Sequence, residues 1–144
     1  MKWLFMYQYR KVQAAGELMP KVLLKLGHYH AIRGRSWSNV LSVGNFVSEF
    51  AKSNDMDSFH LALYINNASG DYGVLSSYPD YKPLADVAPT DKWTVIDLRP
   101  LQKYAHAGKL TGLNSEIRRI IFGFDAVLII GGGSRGTYKL MGVQ

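Results

Sequence analysis

Hydrophobic and polar positions along this chain change rhythm several times, and each rhythm predicts an element. The clearest is near the end. Val127, Leu128, Ile129 and Ile130 form an unbroken apolar run. Such a run suits a strand buried on both faces and hence central in a sheet. Gly131-Gly132-Gly133-Ser134-Arg135-Gly136 follows as a turn able to take positive φ, and Tyr138–Val143 is expected to pair back as a return strand. Before the run, Ser115 and Glu116 open a helix that feeds it, with Arg118 and Arg119 on the exposed side.

The remaining elements are read in the same way. Trp3, Phe5, Tyr7 and Tyr9 alternate along Lys2–Tyr9, which predicts a first strand. Leu18, Met19, Val22, Leu23 and Leu26 make one apolar face of a helix over Gly16–Leu26, with Pro20 in its first turn and Gly27 as its stop. His28–Ile32 reads as a short extended piece, and Arg33-Gly34-Arg35 as a basic turn. Ser36 or Ser38 can cap a second helix that runs to Lys52, because Trp37, Val40, Leu41, Gly44, Val47, Phe50 and Ala51 recur at helical spacing.

Phe59–Ile65 reads as a buried strand, Asn66 to Asp71 as a turn and Tyr72–Ser77 as the hairpin partner. Tyr78–Asp91, with Pro79, Pro83 and Pro89, reads as the longest loop. Lys92–Leu98 is expected as a strand and Leu101–His106 as a short helix. Strands and helices mix without βαβ regularity. The expected class is therefore α+β: one domain, residues 1–144, with a mixed or antiparallel central sheet and two to three packed helices.

Composition narrows the chemistry. There are no cysteines, which excludes disulfides, zinc–thiolate sites, iron–sulfur clusters and thiol nucleophiles. The opening MKWLFMYQYR is interrupted before it reaches signal-peptide length, and no run approaches the roughly 20 apolar residues that cross a bilayer. A cytoplasmic protein without a membrane partner is the expectation. The net charge of +6 is uneven: residues 1–50 hold seven Lys/Arg against two acids, residues 51–100 four against seven, and residues 101–144 six against two. Such a distribution attracts phosphate-bearing partners, a nucleotide-like small molecule or nucleic acid among them.

Four groups of residues carry candidate chemistry. In an extended segment His28 and His30 share a face, and with Arg33 and Arg35 they suit a base and a phosphate clamp, as in metal-independent ribonucleases. No further ligand lies near the H-x-H pair, so it does not predict a metal site. The GGGSRG turn can present backbone amides to an anion, but it lacks the Gly-Lys-Ser/Thr of a phosphate-binding loop and reads better as a hairpin turn. Glu116, Asp97 and Asp125 are candidate acids at element ends; at a helix start Glu116 also complements the dipole. Tyr72, Tyr78, Tyr81 and Trp93 surround the proline-rich stretch and can stack a base or nicotinamide ring, or simply pin the loop.

His30-Ala31-Ile32, followed by Ser36-Trp37, Val40-Leu41 and Gly44, resembles the opening motif of diphtheria-toxin-like ADP-ribosyltransferases and their DarT-like relatives. The closing GFDAVLII and YKLM resemble the last strands of many phage and bacterial members. Ile32 stands where those families usually have threonine or serine. The resemblance implies NAD⁺ as substrate, not as a redox cofactor, with a protein or nucleic acid as the modified target. It implies His30 and Glu116 as the catalytic pair, and His28, Arg33, Arg35, Tyr72 and Tyr78 as the residues that hold NAD⁺. A carboxylate suits this chemistry because the departing nicotinamide leaves an oxocarbenium-like sugar. Two other classes fit the composition: a small basic nuclease or RNA-binding module built on the His/Arg group, and a non-catalytic inhibitor or interaction protein.

Overall fold

A computed structural model describes residues 1–67 and 75–132. The fold is α+β, as the pattern predicts, and among the described residues its sheet has three strands and is mixed, one of the two kinds expected. Backbone contacts group the chain into two compact units, Met1–His60 and Leu61–Gln144. Each is described in turn.

The first unit is helical. Lys2–Ala14 is a helix, α1, not the expected strand. The reason lies in the spacing of its rings. Residues 3, 5, 7 and 9 alternate, yet they also form two i,i+4 pairs, and such pairs meet on a helix surface. Trp3 stacks on Tyr7 with centroids 5.4 Å apart, and Phe5 meets Tyr9 at 5.9 Å. Phe5 and Tyr9 then pack edge-on against Phe50 of α3 (Val43–Lys52) at 5.5 and 4.9 Å. No glycine or proline interrupts α1, and Gly16 (φ +105°) follows its end.

The helix expected over Gly16–Leu26 is absent. Leu18 and Leu23 stand exposed in irregular backbone. Pro20 lies too far in for a first turn: its ring opposes the carbonyl four residues back, and Met19 before it is steered out of the helical region. The six residues left before Gly27 are too few to sustain a helix alone.

His28–Ala31 is one turn of helix, α2, not extended. The second long helix starts at Val43, later than Ser36 or Ser38 would have it. Gly34 (φ +77°) and Asn39 (φ +59°) take left-handed conformations, and a tight turn closes through Ser36 N–H to Val40 O at 2.9 Å. Ser42 is the cap instead, accepting from Asn45 N–H at 2.9 Å. Trp37, Val40 and Leu41 therefore lie outside the helix, while Val43, Gly44 and Ala51 are its buried residues. Gly44 sits so close to the backbone of Ala31 and Ile32 that an added Cβ would overlap their carbonyls.

The second unit holds the sheet. Strands β1 (Leu61–Asn66), β2 (Thr94–Asp97) and β3 (Ala126–Gly131) lie in the order β1-β3-β2. The apolar run is thus the central strand, as expected. β1 pairs with it in parallel, Leu63 opposite Leu128, and β2 antiparallel, Val95 opposite Leu128. Positions of one parity, including Ala62, Asn66, Val127 and Ile129, are buried. Helix α6 (Ser115–Gly123) brings Ile117, Ile120 and Ile121 into the core.

Tyr78–Asp91 is not a loop throughout. It contains a 3₁₀ turn, Pro79–Tyr81, and a helix, α4 (Lys82–Val87). Pro79 and Pro83 stand at element starts, where a missing N–H costs nothing. The short helix expected from Leu101 is present as α5 (Arg99–His106). Leu75–Ser77 is a 3₁₀ turn, so it is no hairpin strand; the rest of that expected partner, and the return strand Tyr138–Val143, lie outside the described residues. Among the described residues, no helix is long and apolar enough to cross a membrane.

Candidate functional site

The candidate residues fall into two groups, one in each unit. In the first unit the two histidines diverge. On one turn of helix, positions 28 and 30 point to different sides, so the shared face expected of an extended segment is lost. His28 packs edge-on against Trp37, centroids 4.7 Å apart, and burial lowers its pKa to about 4. It is therefore neutral near pH 7 and a poor proton donor there. His30 is exposed. Arg35 is exposed and donates to Asn39 O at 2.8 Å, and Arg33 is half-buried. The turn between the two arginines is present, held by Gly34 N–H to Asn45 Oδ1 at 2.8 Å.

His60 was not foreseen. It is buried, with Nδ1 2.9 Å from Ala31 O and Nε2 3.1 Å from Ser58 Oγ. A carbonyl can only accept, so Nδ1 carries a proton and donates to it. The ring is thereby tied to the end of α2, a structural role.

In the second unit, Tyr78 and Glu116 become part of one neighbourhood. Tyr81 is its hub: its ring lies 5.6 Å from Tyr64 of β1 and 5.8 Å from Tyr78, inclined at 57° and 61°. At such distances and angles the three rings pack edge to face, with Tyr81 between the other two. Glu116, in the first turn of α6, is within electrostatic reach of Tyr64 and pairs with Arg119 at 3.3 Å. Burial first, then Tyr81 and Glu116, push the Tyr64 phenol above its ordinary value, so it keeps its proton and remains a donor. All five side chains are half-buried, neither sealed in the core nor fully in water.

Asn114 ties this group together. Its Oδ1 caps α6 by accepting from Ile117 N–H at 2.8 Å, and its Nδ2 donates to Asp80 O at 2.7 Å. The helix start that carries Glu116 is thereby fastened to the turn that carries Tyr78 and Tyr81. An Asn before a helix is legible as a cap; its second bond, spanning 34 residues, has no local signal.

The other candidates have separate surroundings. Asp97 at the end of β2 is held by Arg99 through two bonds, 2.9 and 2.8 Å, which take its pKa down to about 2. Asp125 is buried just before β3. Asn66 is buried at the end of β1, donating to Ala88 O at 3.0 Å, and its Oδ1 has no partner among the described residues. Trp93 is exposed and outside the tyrosine group. Gly131 lies against the backbone of Pro89 and Lys92, which explains a glycine at the start of the GGGSRG turn. Tyr72 and Gly133–Gly136 lie outside the described residues. Among the described residues there is no group of three or more His, Cys, Asp or Glu that could hold a metal ion. Comparison with protein-family models, with curated proteins and with solved structures gives no match.

Proposed function

We propose that the chain is an ADP-ribosyltransferase-like domain that uses NAD⁺ as a substrate to modify a protein or nucleic acid in the cytoplasm. One observation carries the reading: Tyr64, Tyr78 and Tyr81 form a half-buried cluster of rings, and Glu116 of the half-buried pair Glu116–Arg119 is within electrostatic reach of it. The partly exposed faces of such rings suit a flat cationic ring such as nicotinamide. A carboxylate beside them suits a ribose hydroxyl in the ground state and the oxocarbenium charge that develops as nicotinamide departs. Arg119, 3.3 Å from Glu116, adds a cation that suits a phosphate. His30, to which the resemblance assigns the ribose-side contact, belongs to the first unit and is not part of the tyrosine group on which this reading rests.

The test is nicotinamide release from NAD⁺ by the full chain. Wild type is expected to release nicotinamide, and Glu116→Gln to do so about 10²–10³-fold more slowly at similar NAD⁺ affinity, the usual cost of losing one transition-state contact. No release together with no NAD⁺ binding at millimolar concentration would overturn the proposal. The two-histidine nuclease reading is disfavoured by His28, whose ring is neutral and engaged with Trp37.

A further inference from the structure

The sheet of the second unit has a second face, which the tyrosine group does not use. Residues 61, 63 and 65 of β1, 128 and 130 of β3, and 95 of β2 have the parity opposite to the buried set. All six are Leu, Ile or Val. Leu61 is 46% exposed, Leu63 54% and Val95 70%, and Trp93, two residues before Val95, is 70% exposed. Leu128 and Ile130 between them are half-buried. β1 and β3 are parallel, and parallel pairs are ordinarily covered on both faces. Among the described residues, the side that carries Val127 and Ile129 is buried, while the opposite side presents an apolar surface that is partly exposed.

We infer that this face is the contact between two copies of the chain. Its chemistry argues for a second copy over a charged partner. The chain carries a net charge of +6, so two copies repel wherever their charges meet. The six strand positions hold no charge, and Asp97 at the margin is already paired with Arg99 at 2.8 Å. A two-fold contact needs a surface that complements itself. A flat row of aliphatic side chains does so without any donor, acceptor or charge to match, and sheets pack face to face in this manner.

Size sets the strength. An aromatic side chain buries about 150–250 Å² when covered, so Trp93 alone offers more than about 100 Å². With Leu61, Leu63 and Val95 the patch is on the order of 400 Å², within the roughly 300–600 Å² of the largest patch on a typical single chain, which is often functional. That is about half of the roughly 800 Å² per partner in a standard interface. The contact is therefore weak and concentration-dependent.

Sedimentation of the full chain over about 1 to 300 µM tests this, a range suited to an interface of that size. The expected result is a mass that rises from the 16.1 kDa of one copy towards twice that value. Val95→Lys, on an exposed edge strand where lysine is tolerated, places like charges opposite one another and should hold the mass at one copy throughout. Trp93→Glu, outside the strand ladder, should do the same and guards against a folding defect in the first variant. Wild type remaining a single copy at the highest concentration overturns the inference. So does a dimer that both folded variants leave intact, since the contact would then lie elsewhere.

Discussion

In the first unit the main contact is between aromatic rings four residues apart on two helices; in the second it is a ladder of backbone hydrogen bonds around one buried strand. Phe5 and Phe50 are half-buried where they meet and only Tyr9 beside them is buried, whereas Val127 and Ile129 have no exposed surface. Ring contacts between helices tolerate some sliding. A central strand does not, because slipping by one residue sends every side chain to the opposite face. The comparison teaches where each unit is vulnerable: the second at the buried positions of β3, the first where backbone meets backbone beneath α3.

The largest expected effect is at β3. Ile129→Ala leaves a void at a position with no exposed surface. It should cost about 2–5 kcal/mol. Urea unfolding gives the total, and hydrogen exchange shows where it falls. If the two units open separately, amide protection drops along β1 and β3 and stays unchanged in α3. An equal drop in both would show that the chain opens as one cooperative body, and the comparison drawn here would fail.

The next effect is at Gly44. Alanine there gains about 1 kcal/mol of helix propensity. Its Cβ, however, would overlap the carbonyls of Ala31 and Ile32. Those carbonyls are already bound, Ile32 O by the Ser42 hydroxyl and Ala31 O by His60 Nδ1, so moving them disturbs both bonds. Overlap should win, for a net loss of about 1–3 kcal/mol. The loss is expected to appear as lower amide protection in α3. A variant as stable as wild type would mean that the contact has room to relax.

What was legible in the sequence follows the same division. The run Val127–Ile130 points to the central strand, but burial on both faces is met only in part: Val127 and Ile129 are buried, and Leu128 and Ile130 are half-buried. The helices from Ser115 and Leu101 were legible, and so were the α+β class and the mixed sheet. α1 was misread because rings at 3, 5, 7 and 9 satisfy a two-residue period and an i,i+4 pattern at once. Only the ring face presented by α3 decides between them, and that is tertiary information. The helix expected from Gly16 failed on Pro20, whose effect depends on how many turns precede it. At the candidate site, Tyr78 and Glu116 could be picked by residue type. Tyr81 shares a stretch with Tyr78, but neither these tyrosines nor Tyr64 can be joined to Glu116 from the sequence, because the bond that fastens the helix start to their turn runs from Asn114 to Asp80 across 34 residues.

The smallest effect separates the units by pH. His28 in the first unit has a pKa lowered by burial from 6.5 to about 4. The unfolded chain therefore binds a proton that the folded chain refuses, and stability falls as pH drops from 6.5 towards 4, with the full contribution present only above 6.5. In the second unit the depressed group is Asp97, taken from 3.8 to about 2 by its bonds to Arg99. Its contribution is complete above pH 3.8 and is lost only below that value. The two windows do not overlap. Between pH 6.5 and 4 the first unit should lose melting temperature through His28 while Asp97 remains ionised. His28→Phe keeps an edge-on ring against Trp37 and removes the titration, so its melting temperature should fall less over this range than that of wild type. Parallel decline of the two proteins would show that some other group drives acid sensitivity. A difference confined to pH below 4 would shift the cause to carboxylates, and the assignment of the upper window to the first unit would be wrong.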